Sequence, residues 1–158
     1  MSVVTLLTDF GTEDPYVAAM KGAILSHCSA QIVDLTHGVP AFDAETAGYL
    51  LEAAAFHFPA GAVHVAVVDP GVGTGRRLLA ASCAGHSFLA PDNGLLDFLA
   101  RRPGVSWHEV DPQLVARGTV SPTFHGRDLF APAAAFLCVG LAAEELGPAV
   151  DPADLVRV

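Results

Sequence analysis

The chain has 158 residues, the size of one ordinary domain, and 52% of them are hydrophobic, enough to bury a sizeable core. Its formal net charge is −9 and Lys21 is its single lysine. That argues against a general nucleic-acid surface, which needs basic clusters, and is compatible with either a cationic ligand or simply an acidic, soluble exterior.

Residues 3–7 form a β-branched, apolar run that ends at Thr8 and Asp9. A helix is expected next: Asp14 suits its N-cap, Pro15 its first position, and Val17, Met20, Ile24 and Leu25 recur at helical spacing. QIVDL is a second strand ending near Asp34. FDAETAGYLLEAAAFHF is a second helix, capped by Asp43 and stopped at Pro59, Ala60 and Gly61. AVHVAVVD is a third strand, and its near-continuous apolar run is typical of a sheet buried on both faces. The alternation predicts an α/β domain with a mostly parallel sheet, spanning 1–158. LLAASC and SFLAP then read as two antiparallel strands split by AGH, NGLLDFLARR as a short helix stopped by Pro103 and Gly104, and SWHEV as a brief strand. Residues 111–126 read as an extended loop, and a last helix is expected from about 128 to 146. That helix lies in the most apolar segment, but with Pro132 inside it and Glu144 and Glu145 near its end it reads as a buried globular helix, not a membrane span. The N-terminus lacks the charged region and long apolar core of a signal peptide, which predicts a cytoplasmic location. Cys28, Cys83 and Cys138 show no paired spacing and are expected to be buried free thiols.

The stretch VVDPGVGTGRR, residues 67–77, sets an aspartate at a strand end and an arginine across three glycines from it. It is not a P-loop, which would need a lysine after the glycines, and the strand candidate that follows leaves no helix N-terminus for a pyrophosphate. Two readings remain. Asp69 caps a glycine-rich turn and Arg76 is solvated, or Asp69 is a ligand-facing carboxylate at the C-terminal end of a buried strand, where α/β sheets place their sites. Asp9 and Asp34 also sit at predicted strand ends, so three acidic groups would share that edge. No histidine–carboxylate spacing is diagnostic of a metal, and none is expected. Of the seven histidines, His125 in TFHGRD and His37 in LTHGVPAFD, each beside a glycine, are the site candidates. His27, His57, His64, His86 and His108 are read as structural or solvated, and Asp92 as part of a turn.

LLTDFGTEDPYVAAMKG, DLTHGVPAFD, VVDPGVGTGRR, APDNGLL and TFHGRD, in this order, resemble the S-adenosylmethionine (SAM) hydroxide adenosyltransferases, SAM hydrolases related to the fluorinating and chlorinating enzymes. The resemblance runs from residue 3 to about 158. It implies a three-layer αβα sandwich that cleaves SAM at C5′ with water or hydroxide, giving adenosine and methionine, with no cofactor and no nucleic-acid or membrane partner. The family's catalytic set falls on Asp69, Arg76 and His125, with either Asp69 or His125 as the base. Asp9 corresponds to the ribose-binding carboxylate, and Asp14, Phe42 and Phe124 to pocket residues. The halogenating relatives have a tyrosine at the position of Asp69 and a halide-binding serine at that of Gly126, so hydrolysis is expected rather than halogenation. The resemblance also implies a second, β-rich domain and a homotrimer with sites between subunits. This chain stops where that domain would begin, as a fragment or as a naturally short protein. On its own it would hold the catalytic residues and only part of the pocket; the alternative is a non-catalytic SAM-binding or oligomerisation module.

Overall fold

The computed structural model describes residues 2–158. Six strands form one sheet in the order β2-β1-β3-β5-β4-β6. They are β1 (Ser2–Thr8), β2 (Ala30–Thr36), β3 (Val63–Val67), β4 (Leu78–Cys83), β5 (His86–Pro91) and β6 (Ser106–Glu109). β1 runs parallel to β2 and β3, and β3 parallel to β5, while β4 is antiparallel to both β5 and β6. The sheet is therefore mostly parallel, with the antiparallel pairing where the sequence predicts it.

The period of two along a strand divides the apolar runs between two cores. Val63, Val65 and Val67 of β3 pack on one face with Val4, Leu6 and Leu89. Ala66 and Val68 pack on the other with Leu7, Phe88 and Ala90. Helices α1 (Tyr16–Leu25) and α5 (Ala131–Cys138) cover the first face through Val17, Met20, Ile24, Ala134 and Leu137. Helices α2 (Ala44–Ala55) and α3 (Asp97–Ala100) cover the second through Ala47, Leu51, Phe98 and Leu99. The result is the expected three-layer sandwich.

Local signals explain most of the element ends. Asp43 caps α2 by accepting the Thr46 N–H at 3.0 Å. Several expectations are corrected. Pro15, not Asp14, holds the cap position of α1, because its carbonyl accepts the Ala19 N–H at 2.9 Å and no side chain caps that end. Leu25 lies at the end of α1 and is exposed. The stretch expected to be loop contains a short helix, α4 (Pro112–Val115), capped by Asp111 with Pro112 in its first turn. The Asp–Pro pair at 111–112 was its signal.

The last helix is broken. A π-helical turn (Gly126–Phe130) leads into α5, which stops at Cys138, and a separate 3₁₀ turn covers Ala143–Leu146. Gly140 ends α5 in the left-handed region at φ 100°. Its N–H bonds the Leu137 carbonyl at 3.1 Å and the Leu141 N–H bonds the Phe136 carbonyl at 3.2 Å, the paired closure of a Schellman motif. Asp92 is structural, as expected: it is buried and accepts the Val156 N–H at 2.9 Å, tying the tail to the end of β5. All three cysteines are free, but only Cys83 is buried; Cys28 and Cys138 are half-buried.

Candidate active site

β3 ends at Val67, and Asp69 follows two residues later, buried beyond the sheet's C-terminal edge. The glycine loop after it turns back sharply. Gly73 sits at φ 77°, and a side chain there would collide with the Pro122 carbonyl oxygen, so any other residue would be strained. Gly71 leaves room for the Arg76 side chain, whose Cγ would lie 3.1 Å from an added Cβ. Arg76 therefore folds over Asp69. Its Nε donates to both carboxylate oxygens at 3.0 Å and its Nη2 donates to Oδ2. The two side chains are only 5% and 11% exposed. A buried ion pair contributes little net stability because desolvating both charges costs about as much as their attraction returns. Its place beyond the sheet's C-terminal edge, where α/β sheets bind ligands, makes it a candidate site instead.

His125, 49 residues further on, completes the group: Arg76 Nη2 lies 2.8 Å from His125 Nδ1. Guanidinium nitrogens only donate, so Nδ1 must accept, and the ring proton is assigned to Nε2. Burial, and then the Arg76 charge, hold the imidazole below its ordinary pKa, with Asp69 and Asp128 opposing in part. His125 is thus a neutral ring held with its Nε2–H free to donate. The turn that carries it packs tightly, since a side chain on Gly126 would come within 3.1 Å of Met20 Sδ and 3.4 Å of Phe10 and Phe124 carbons.

Asp69 and His125 border a cavity of about 250 Å³ whose walls also include Asp9, Phe10, Phe42, Phe124 and Gly126. Asp9 lies one residue past β1, and its Oδ2 accepts the Phe42 N–H at 2.8 Å. Phe42 is 64% exposed and sits at φ 63°, a left-handed conformation that a bulky residue adopts only when its surroundings hold it. Phe10, Tyr16 and Phe124 form an edge-to-face aromatic group with centroids 5.3 to 6.4 Å apart.

Two candidates fall elsewhere. Asp14 is exposed and outside the cavity lining. Asp34 does not join Asp9 and Asp69: it lies within β2, two residues before the strand ends, and binds Lys21 and His37 at 2.7 and 2.8 Å. Burial raises its pKa, but the hydrogen bonds from Lys21 and His37 outweigh that and leave it lowered. Phe10 was not singled out in the sequence, although its place directly after Asp9 was the available signal. Among the described residues, no cluster of three His, Cys, Asp or Glu side chains is placed to hold a metal ion.

Residues 4–147 match the model of the SAM hydroxide adenosyltransferase N-terminal domain. An (R)-S-adenosyl-L-methionine hydrolase from Thermus thermophilus is 42% identical over 100% of this chain and 65% of its own length. A fluorinase from Actinoplanes sp. is 30% identical over 98% of this chain and 60% of its own length. The crystal structure of a conserved protein from Thermotoga maritima superposes with a TM-score of 0.92 at 36% identity, covering 98% of this chain and 60% of that one. The chain thus spans less than two thirds of the length of these relatives. With the fold and this match over most of its residues in hand, the chain belongs to the SAM hydroxide adenosyltransferase family and carries that family's N-terminal domain.

Proposed function

We propose that the protein hydrolyses S-adenosyl-L-methionine to adenosine and L-methionine, by attack of a water-derived hydroxide on ribose C5′. The observation that carries this reading is the convergence of Asp69, Arg76 and His125 beside a cavity shared with Asp9. The sulfur leaves a sulfonium as a neutral thioether, so no general acid is needed. Water, a weak nucleophile, must lose a proton. With His125 Nδ1 engaged by Arg76, Asp69 is the better-placed base, because its oxygens retain lone pairs beyond those used by Arg76. As the water oxygen bonds to C5′ its proton passes to Asp69, and the S–C5′ pair returns to sulfur. Arg76 and the His125 Nε2–H stabilise the developing hydroxide. Asp9 accepts from the vicinal ribose hydroxyls while one of its oxygens holds Phe42, and Phe42 and Phe124 supply apolar walls. The reaction needs no cofactor. A carboxylate at 69 repels halide and Gly126 offers no hydroxyl, both of which favour hydrolysis over halogenation.

A cavity of about 250 Å³ is smaller than the ~300–1,000 Å³ usual for a ligand of this size. The remainder of the substrate would be covered by protein outside this domain, in keeping with the greater length of the relatives and with a homotrimer. Among the described residues no helix is long and apolar enough to cross a membrane.

The test is to incubate the full gene product, and the 158-residue chain beside it, with SAM and to quantify adenosine and methionine by chromatography. Equimolar products, lost in Asp69→Asn, are expected. SAM binding without turnover in the full product would leave only a binding module, and halide-dependent 5′-halo-adenosine would make it a halogenase.

A further inference from the structure

A second hydrogen-bonded chain lies behind the cavity wall. Thr8 Oγ1 is 2.7 Å from His37 Nδ1, His37 Nε2 is 2.8 Å from Asp34 Oδ1, and Lys21 Nζ is 2.7 Å from Asp34 Oδ2. Carboxylate, imidazole and hydroxyl in that order match the arrangement of a hydrolytic triad. Nucleophilic chemistry is ruled out by burial. Thr8 is fully buried, and its oxygen also accepts the Phe10 N–H at 3.2 Å, so no substrate carbon can approach it.

The donors and acceptors set the direction of this chain. A carboxylate bonded by Lys21 only accepts, so His37 donates from Nε2. Its Nδ1 then accepts the Thr8 hydroxyl proton, and the Thr8 oxygen takes the Phe10 N–H. Every group is satisfied, and the buried part of the network, Thr8 and His37, rigidifies what it joins. What it joins is specific. The His37 carbonyl also accepts the Gly11 N–H at 2.8 Å. His37 therefore grips the loop after β1 on both sides of Asp9, at Thr8 before it and at Gly11 after it, while the Thr8 hydroxyl in turn holds the Phe10 N–H. The chain leaving His37 returns at Phe42, whose N–H is held by Asp9. Asp9, Phe10, Ala41 and Phe42, all in the cavity wall, hang from this clasp.

We propose that Asp34, His37 and Thr8 are positioning residues that lock the loops after β1 and β2 together and so present Asp9 and Phe42 to the ribose. This rests on reading the cavity as the SAM site. None of the three touches the reacting centre, so loosening the clasp raises KM and leaves kcat nearly unchanged.

The experiment compares Thr8→Val, which removes the hydroxyl at nearly constant volume, with Thr8→Ser, which keeps it, in the full gene product. Thr8→Val should raise KM for SAM roughly tenfold, the scale of one lost buried hydrogen bond, with kcat within about threefold of the parent. Thr8→Ser should restore KM to within about threefold. Amide hydrogen exchange at Gly11 and Phe42 should quicken roughly tenfold in Thr8→Val and not in Thr8→Ser, with β4 and β5 amides unchanged. Asp34→Asn, on the half-exposed end of the chain, gives the same pattern with smaller shifts should the interior variant fail to fold. Unchanged exchange at both amides, or a fall in kcat as large as the rise in KM, overturns the proposal. Absence of turnover in the parent protein sinks the SAM reading instead, and exchange still decides whether the clasp holds the loops.

Discussion

Strand β3 carries a buried histidine near its start and leads to another beyond its end, and the two have opposite consequences. His64, its second residue, is fully buried, hydrogen-bonded to Thr5 at 2.7 Å and to His86 at 3.0 Å, and surrounded by Phe58 and Phe88. Past the other end, Asp69 meets Arg76 and His125. Burial lowers the pKa of both imidazoles, that of His64 to about 4 with His86 adding to the effect. A lowered imidazole pKa therefore does not by itself mark a functional site. The candidate-site end differs in two respects: a charged partner fixes the tautomer, and a cavity reaches the ring. Interior burial with neutral partners makes His64 part of the core, whereas His125, slightly less buried and beside Arg76, borders the cavity with its Nε2–H.

The comparison can be broken from either end. The largest effect is expected at the charged end, where Asp69→Asn should lower kcat by roughly 10²- to 10⁴-fold, the range for a lost general base. Steady-state kinetics on the full gene product check it, and a change under tenfold would remove Asp69 from the role. At the neutral end the effect is on stability. The unfolded chain takes up a proton on His64 near pH 6.5, while the folded chain resists it down to about 4. This group's contribution is full above pH 6.5 and falls as the pH drops through that window, by about 3 kcal/mol. Urea unfolding at pH 7 and pH 4.5 should show most of that loss, and His64→Gln should flatten the profile while leaving kcat at pH 7 near that of the parent.

A substitution between the two ends sharpens the contrast. Gly73→Ala forces a left-handed alanine against Pro122 and should cost roughly 2 kcal/mol. Because Gly73 shapes the loop that folds Arg76 over Asp69, kcat should fall with stability, unlike in His64→Gln. The smallest effect is expected for Asp43→Ala, which uncaps the helix lying over the His64 face. It should cost about 1 kcal/mol, or roughly 2–4 °C in a thermal melt, without altering the slope of stability between pH 6.5 and 4.

Legibility in the sequence followed the range of each signal. The run 62–69 announced a strand buried on both faces, and Asp43 announced a helix start, because these act over one to four residues. The Asp–Pro start of α4 was equally local and was passed over among the prolines and glycines around it. The break in the last helix was hidden because Gly140 sits in an alanine-rich stretch that reads as continuous helix. In the site, Asp69 and Arg76 are seven residues apart, close enough for a glycine loop to suggest their meeting. Asp34 misled, because a carboxylate near a strand end can point to a lysine and a histidine as readily as to a ligand.

By itself the sequence determined an α/β domain with a mostly parallel sheet, the central strand buried on both faces and the start of α2, since side-chain period, caps and turn residues work through neighbouring backbone. Only the tertiary structure decided that His125 reaches Arg76 and that Nδ1 faces the guanidinium. It also decided that His37 bonds Thr8, Asp34 and the Gly11 N–H and lies outside the cavity lining. The His37–Thr8 and His125–Arg76 contacts join residues 29 and 49 positions apart, and their geometry is set by sheet register and by the packing of α1 and α5 on the sheet, which no local pattern encodes.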